Sequence, residues 1–517
     1  MQRRVFLKQS LALGGGLLLP AAPAVIASAN VRPQLPSGLQ FGDVLRDRAL
    51  VWARADRTSR MVLEWDTTDR FARPRRLRGP WAHEANDFIT RVDLTGLPAG
   101  QRIFVRVAYE DASTGRTLSE ALTGQFQTAA DSLRPVRFVW SGDTAGQGYG
   151  INPEWGGMRI YETMRQQSPD FFLHSGDTIY ADGPMEAQKT VEGGRIWKNL
   201  VTPEVAKVAE TLDEYRGRYR YNLMDANVRR FAAEVPQIWQ WDDHEVTNNW
   251  SDSKDLSADA RYTEKRVPLL QARATRAFLD YAPLRSFGEA DSERVYRHIP
   301  YGPLLDVFVV DMRSYRGPNG ANLEAEAGDA TAFLGRQQLA WLLDGLRRSR
   351  ATWKVIAADM PIGLQVPDGK DAAGRDRWEA IANADPGKPL GRELEIAELL
   401  RGIKRAGVRN VVWLTADVHY TAAHHYHPSR ARFTDFDPFW EFVSGPLNAG
   451  SFGPNKLDAT FGPEVKYQKA PDTQNASPLA GYQFFGQVDI DPRTRAMTVA
   501  LKDVDNRTLY SQTLPAT

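Results

Sequence analysis

Four short segments of this chain each follow an apolar run, and each carries hard oxygen or imidazole donors: Ser141-Gly142-Asp143-Thr144, His174-Ser175-Gly176-Asp177-Thr178-Ile179-Tyr180, Trp241-Asp242-Asp243-His244-Glu245 and Leu414-Thr415-Ala416-Asp417-Val418-His419. One Gly-Asp after a strand is an ordinary turn. Four such sites in series restrict the fold. The preceding apolar runs, 136–140, 171–174, 235–239 and 411–414, have strand length, with further strands expected at 306–310 and 353–357. Helical spacing occupies 157–167, 335–350 and 392–405. This β-loop-α-β order implies a layered α/β domain whose strands deliver their loops to one edge of a sheet.

The rest of the chain has another rhythm. Residues 38–128 alternate in short segments (49–53, 60–65, 88–94 and 103–109) separated by Asp, Gly and Pro, which indicates a small all-β sandwich over 30–130. A linker is expected near 129–135 and the α/β domain over 135–517, with a polar, helical insertion near the site at 185–234 and a closing hairpin from 483–490 and 496–501. Residues 1–29 open Gln2-Arg3-Arg4-Val5-Phe6-Leu7-Lys8 and continue into an apolar run over 11–20 and small residues over 21–29, the pattern of a twin-arginine signal peptide. That run is about half the ~20 residues of a spanning helix. The expectation is export by the twin-arginine machinery to the periplasm or beyond, with no stable membrane anchor.

Composition narrows the chemistry. Lys and Arg total 65 against 64 Asp and Glu, so no broad field recruits nucleic acid or an anionic membrane. The cluster Arg73, Arg75, Arg76 and Arg78 is read as a solvated loop rather than a nuclease groove. With no cysteine, disulfides, zinc-thiolate sites and thiol nucleophiles are excluded, and metal ligands must come from Asp, Glu, His, Asn or Tyr. Of eight histidines, six (His174, His244, His419, His424, His425 and His427) lie in or beside the four segments. His424, His425 and His427 are read as a solvated loop. Asp417 and His419, two residues apart, share a face if the strand conformation continues through them. The donors suit a pair of metal ions roughly 3.5 to 4 Å apart, bridged by a carboxylate and clamping a phosphoryl group.

The order Gly-Asp, Gly-Asp-x-x-Tyr, Trp-Asp-Asp-His-Glu, Asp-x-His resembles the alkaline phosphatase D (PhoD-type) branch of the calcineurin-like metallophosphoesterases. Glu245 to Trp250 (Glu-Val-Thr-Asn-Asn-Trp), Asp311 to Arg316 (Asp-Met-Arg-Ser-Tyr-Arg) and the opening Gly38-Leu39-Gln40-Phe41-Gly42-Asp43 agree with it. The resemblance implies a layered αββα metallophosphoesterase domain behind an immunoglobulin- or fibronectin-like sandwich. It also implies a hydrolase of small phosphate esters. Carried over by position, Asp143, Asp177, Tyr180 and His419 surround a first metal, ferric iron. Asp177 bridges to a second site with Asp243 and Asp417, where calcium is the family's usual ion. His244 serves the ester oxygen. Arg313 either holds a phosphate oxygen or pairs with a structural carboxylate, and Asn248 adds a polar contact or a ligand. Family members often carry cysteine near the end of the first strand; its absence leaves manganese or zinc open as alternatives to iron. Monoesters and diesters both remain open, including a phospholipase D-like phosphodiesterase, as does an inactive exported binding protein.

Overall fold

The computed structural model describes residues 32–517; the expected signal peptide lies outside the described residues. Among them, no helix is long and apolar enough to cross a membrane.

The strands Val136–Ser141, Phe171–Ser175 and Gln237–Gln240 run parallel at the centre of a nine-stranded sheet. In a second, seven-stranded sheet, Leu305–Val309, Trp353–Ala357, Val411–Thr415 and Phe439–Val443 are parallel neighbours. Such strands are buried on both faces and read as continuous apolar runs. Phe138, Trp140, Leu173 and Ile238 of the first sheet meet Val307, Val355, Leu414 and Phe442 of the second in a shared core. The opposite faces are covered by helices. Arg159–Gln166, Leu212–Asn222, Ala226–Glu234 and Val267–Tyr281 pack over Val139 and Phe172. Arg336–Arg348 and Glu393–Arg405 pack over Phe308, Ile356 and Trp413. The layering is α, β, β, α, as expected.

A four-stranded sheet, Arg75–Ala82, Ser59–Asp66, Arg102–Asp111 and Leu122–Gln127, closes a smaller core of Phe41, Val51, Leu63, Val105 and Val107 against Leu39–Gly42, Arg48–Arg54 and Ile89–Thr95. Those last three strands also extend the nine-stranded sheet, with Gly42 opposite Gln237. The approach depends on glycine: a Cβ at Gly42 would lie 1.8 Å from the Pro283 carbonyl oxygen. The β-sandwich is thus fused edge to edge with the sheet that carries the third donor segment.

Three local expectations change. The 185–234 stretch contributes two helices to the layer that covers the nine-stranded sheet, with Tyr219 and Phe231 in its core. The closing hairpin gains a third strand, Thr508–Leu514, whose mixed sequence gives no regular apolar alternation. Two of the late histidines are not in a loop: Thr421–Tyr426 is a strand that carries His424 and His425, and His424 is fully buried with Nδ1 3.0 Å from Glu441 Oε2, while His427 lies past the strand's end.

Candidate metal centre

One rule builds the site. Asp143, Asp177, Asp242, Asp311, Asp359 and Asp417 each stand two residues past the end of a strand that runs parallel to at least one neighbour. Because those strands point the same way, their aspartates gather at one edge of the two sheets. Asp143, Asp177, Asp417 and His419 have φ of 63°, 53°, 66° and 58°. Asp and His enter this left-handed region more readily than most residues, and the turn swings each side chain out of the strand direction into the cluster. At Gly176, a Cβ would lie 2.5 Å from Asp242 Cβ, so this glycine admits the second and third segments to contact.

Asp143, Asp177 and His419 offer one ligand atom each, all within 4.8 Å of one another; Asp177, Asp243 and His244 form a second such group. Asp177 belongs to both. Tyr180 Oη lies 2.9 Å from His419 Nε2, and Asp143 Oδ1 lies 3.4 Å from the same nitrogen. His419 Nδ1 is 2.5 Å from the Gly450 carbonyl. That carbonyl accepts a hydrogen bond from Nδ1–H, which leaves the Nε2 lone pair facing the oxygen donors. Asp417 falls in neither group; its Oδ1 is 3.9 Å from Arg313 Nη2. Asp143 Oδ2 and Asp417 Oδ2 are buried with no hydrogen-bond partner.

Burial, and then the charges of neighbouring carboxylates, Asp242 foremost, push Asp143, Asp177 and Asp417 well above the usual carboxylate range. Burial holds His419 down to about 4, a neutral imidazole. Burial and the charges of Asp177 and Asp143 drive Tyr180 up. Oxygen donors in mutual repulsion around a neutral imidazole, two of them with orphaned oxygens, are the environment a hard cation relieves. The residues fit metal.

A supporting layer holds these groups. Burial opposes protonation of His244, but the charges of Asp182 and Asp243 outweigh it and raise His244 to about 10. Asp182 Oδ1 meets His244 Nδ1 at 2.6 Å, and its Oδ2 accepts the Asn248 N–H at 3.0 Å. The Asn248 residue itself is exposed. Arg313 has no exposed side-chain surface: its guanidinium faces Asp242, Asp359 at 3.2 Å and Glu379 at 2.5 Å. It lies behind the donors as their internal counter-charge. Glu245 accepts from the backbone N–H of Thr178 at 2.6 Å, Asp242 at 2.8 Å and Asp177 at 3.2 Å, tying the second segment to the third. Glu245→Gln keeps the shape but turns an NH2 toward these donors, and is expected to destabilise the fold by about 1–3 kcal/mol in urea unfolding.

The sequence reading left Asp182, Asp242, Glu245, Asp359 and Glu379 without roles. Asp359 and Asp242 share the strand-end position of Asp143, which would have found them. Nothing in the sequence around Glu379 points to it.

His174 lies behind the centre, its Nε2 2.6 Å from the Thr144 hydroxyl, and burial lowers it to about 3. An unfolded histidine takes up its proton near 6.5, so His174 favours the folded state above that pH and withdraws this support as pH falls from 6.5 toward 3. Between pH 7 and 5 the wild type is expected to lose about 2 kcal/mol more unfolding free energy than His174→Gln; denaturant unfolding at the two pH values measures it.

Comparison with known proteins bears on the family and the fold of the chain. The family described as PhoD-like phosphatase matches residues 138–501. The chain belongs to the PhoD-like phosphatase family. That family's N-terminal domain matches residues 20–130. Alkaline phosphatase D of Bacillus subtilis (strain 168) is 30% identical over 315 residues, 59% of this chain and 50% of that protein. The chain thus spans about half the length of this curated relative. A solved structure of PhoD superposes with a TM-score of 0.68 at 20% identity, covering 93% of both chains. Purple acid phosphatase PPD1 of yellow lupin superposes with a TM-score of 0.57 at 12% identity, covering 94% of this chain and 74% of its own. At these identities the two structures bear on the fold, and both share the layered architecture of this PhoD-like chain.

Proposed function

We propose that this PhoD-like phosphatase is an exported, metal-dependent hydrolase of small phosphate esters. The observation that carries the proposal is the convergence of Asp143, Asp177 and His419, with Asp243 beside Asp177, inside a buried cluster of mutually repelling carboxylates. Asp143, Asp177, Tyr180 and His419 would hold one cation, and Asp177, Asp243 and Asp417 the other. Ferric iron and calcium are the assignment we favour, and the all-oxygen and imidazole donors would also accept manganese or zinc. Cations bound there supply Lewis acidity toward the phosphoryl oxygen and the attacking water.

The chain's own groups do the rest. His244, with Nδ1 held by Asp182, keeps its proton and turns Nε2 to the donor cluster, 4.0 Å from Asp243 Oδ1. It delivers that proton to the departing ester oxygen. Arg313, enclosed by carboxylates, orders the donors instead of touching phosphate, which favours the structural alternative for this residue. The exposed Asn248 offers its amide to the substrate from the rim. Folded export through the twin-arginine machinery would deliver the protein to the periplasm or outside the cell already loaded with metal.

The test is hydrolysis of p-nitrophenyl phosphate and bis-p-nitrophenyl phosphate, with and without calcium. Turnover of either ester supports the reading, and the preferred one separates phosphatase from phosphodiesterase. Inactivity toward both after reconstitution with iron, manganese or zinc plus calcium would move the assignment to an inactive binding protein.

A further inference from the structure

A small hairpin, Pro367–Lys370 with Asp376–Trp378, projects beside the third donor segment, its tip exposed to solvent. Its base is fixed by one buried side chain. Arg392 donates from Nη1 to the carbonyls of Trp378 at 3.0 Å and Glu379 at 2.8 Å. From Nη2 it reaches the carbonyls of Gly317 at 3.1 Å and Pro318 at 3.0 Å, and Asn319 Oδ1 at 2.7 Å. The hairpin is therefore a rigid mount, and Asp368 is the carboxylate it presents inward.

Asp368 Oδ1 accepts from Asn249 Nδ2 at 2.8 Å, while Oδ2 accepts from Asn319 Nδ2 at 3.0 Å and Arg377 Nη2 at 2.7 Å. Asn319 Nδ2 also reaches the Asn249 carbonyl at 3.2 Å. Asn249 is thus gripped at its side chain and its carbonyl, in a left-handed conformation with φ of 53°. This conformation points the Asn249 backbone N–H at Asp243 Oδ2, to which it donates.

We propose that Asp368 is a positioning residue for the second cation, acting through Asn249 to fix the carboxylate of Asp243. The proposal rests on the reading of Asp243 as a ligand given above. The chain of contacts is continuous: Arg392 holds the hairpin, Asp368 holds Asn249, and the Asn249 N–H turns one oxygen of Asp243 so that the carboxylate meets the cation in a single orientation. Groups that hold metal ligands from outside typically change metal affinity by about 10- to 100-fold when removed. Asp368 stands on a largely exposed hairpin strand and belongs to none of the hydrophobic clusters, so its replacement leaves the core intact.

Calcium and then manganese are titrated calorimetrically into the full-length metal-stripped protein, in wild type, Asp368→Asn, Asn249→Gly and the double variant. Glycine retains the left-handed backbone and its N–H but cannot bond to Asp368. Each single variant is expected to bind the second cation about 10- to 100-fold more weakly. The double variant should be no weaker than the worse single one, because both cut the same path. Thermal midpoints without metal should stay together, and iron uptake on separate reconstitution, read by elemental mass spectrometry, should not change. Unchanged affinity in Asp368→Asn, or effects that multiply in the double variant, overturns the positioning role alone. A wild type that takes up neither cation overturns the reading of Asp243 and this proposal with it.

Discussion

Asp177→Asn is expected to abolish ester hydrolysis while raising the thermal midpoint of the metal-free protein. Asp177 is the one residue common to both donor groups, and burial followed by the charges of Asp242 and Asp243 holds its carboxyl far above the usual range. Without metal its ionised form is disfavoured inside a buried cluster of carboxylates; on the proposed function it would be the donor shared by two cations. A neutral amide of the same shape relieves the repulsion and cannot bridge. Loss of an outer support already costs about 10- to 100-fold in affinity or activity, so losing the shared ligand should exceed about 100-fold in kcat/KM. The midpoint shift that metal produces in the wild type, by binding the folded chain alone, should vanish in the variant. A rising midpoint together with lost activity separates a metal ligand from a residue that merely supports the fold.

Arg313→Met should be the most destabilising single substitution at the centre, by about 3–5 kcal/mol in chemical denaturation. Arg313 is wholly buried, and its guanidinium faces Asp242, Asp359 and Glu379. Methionine fills much of the volume but leaves those carboxylates without a counter-charge. The deficit should shrink as pH is lowered, because protonation removes the charges that need Arg313. Arg313→Lys keeps the charge but presents a point donor in place of a planar fork, so it cannot satisfy the carboxylates together and should fall between wild type and Arg313→Met. An Arg313→Met protein as stable as wild type would show that these acids are protonated in the native state.

Much of this centre was legible because its construction is repetitive. Apolar runs at 136–140, 171–174 and 411–414 ended in donors, and the structure places strands at Val136–Ser141, Phe171–Ser175 and Val411–Thr415 with those donors at one edge. What escaped was set by partners distant in sequence. Glu379 enters only because Arg313 needs another carboxylate, and its segment reaches the centre through the bonds of Arg392. His424 stands beside His425 and His427 in the sequence, and only pairing with Phe439–Val443 buries it beside Glu441. The fusion of the β-sandwich to the larger sheet rests on the pairing of Gly42 with Gln237, a contact between residues distant in sequence that no local pattern encodes.

The measurement that bears most directly on the whole account is the metal content of the protein isolated from its native host, by elemental mass spectrometry before and after chelation. The account expects about two cations per chain, lost on chelation together with hydrolysis and both recovered on reconstitution. Protein that is isolated free of metal, and that takes up none of iron, manganese, zinc or calcium when these are supplied, would contradict it.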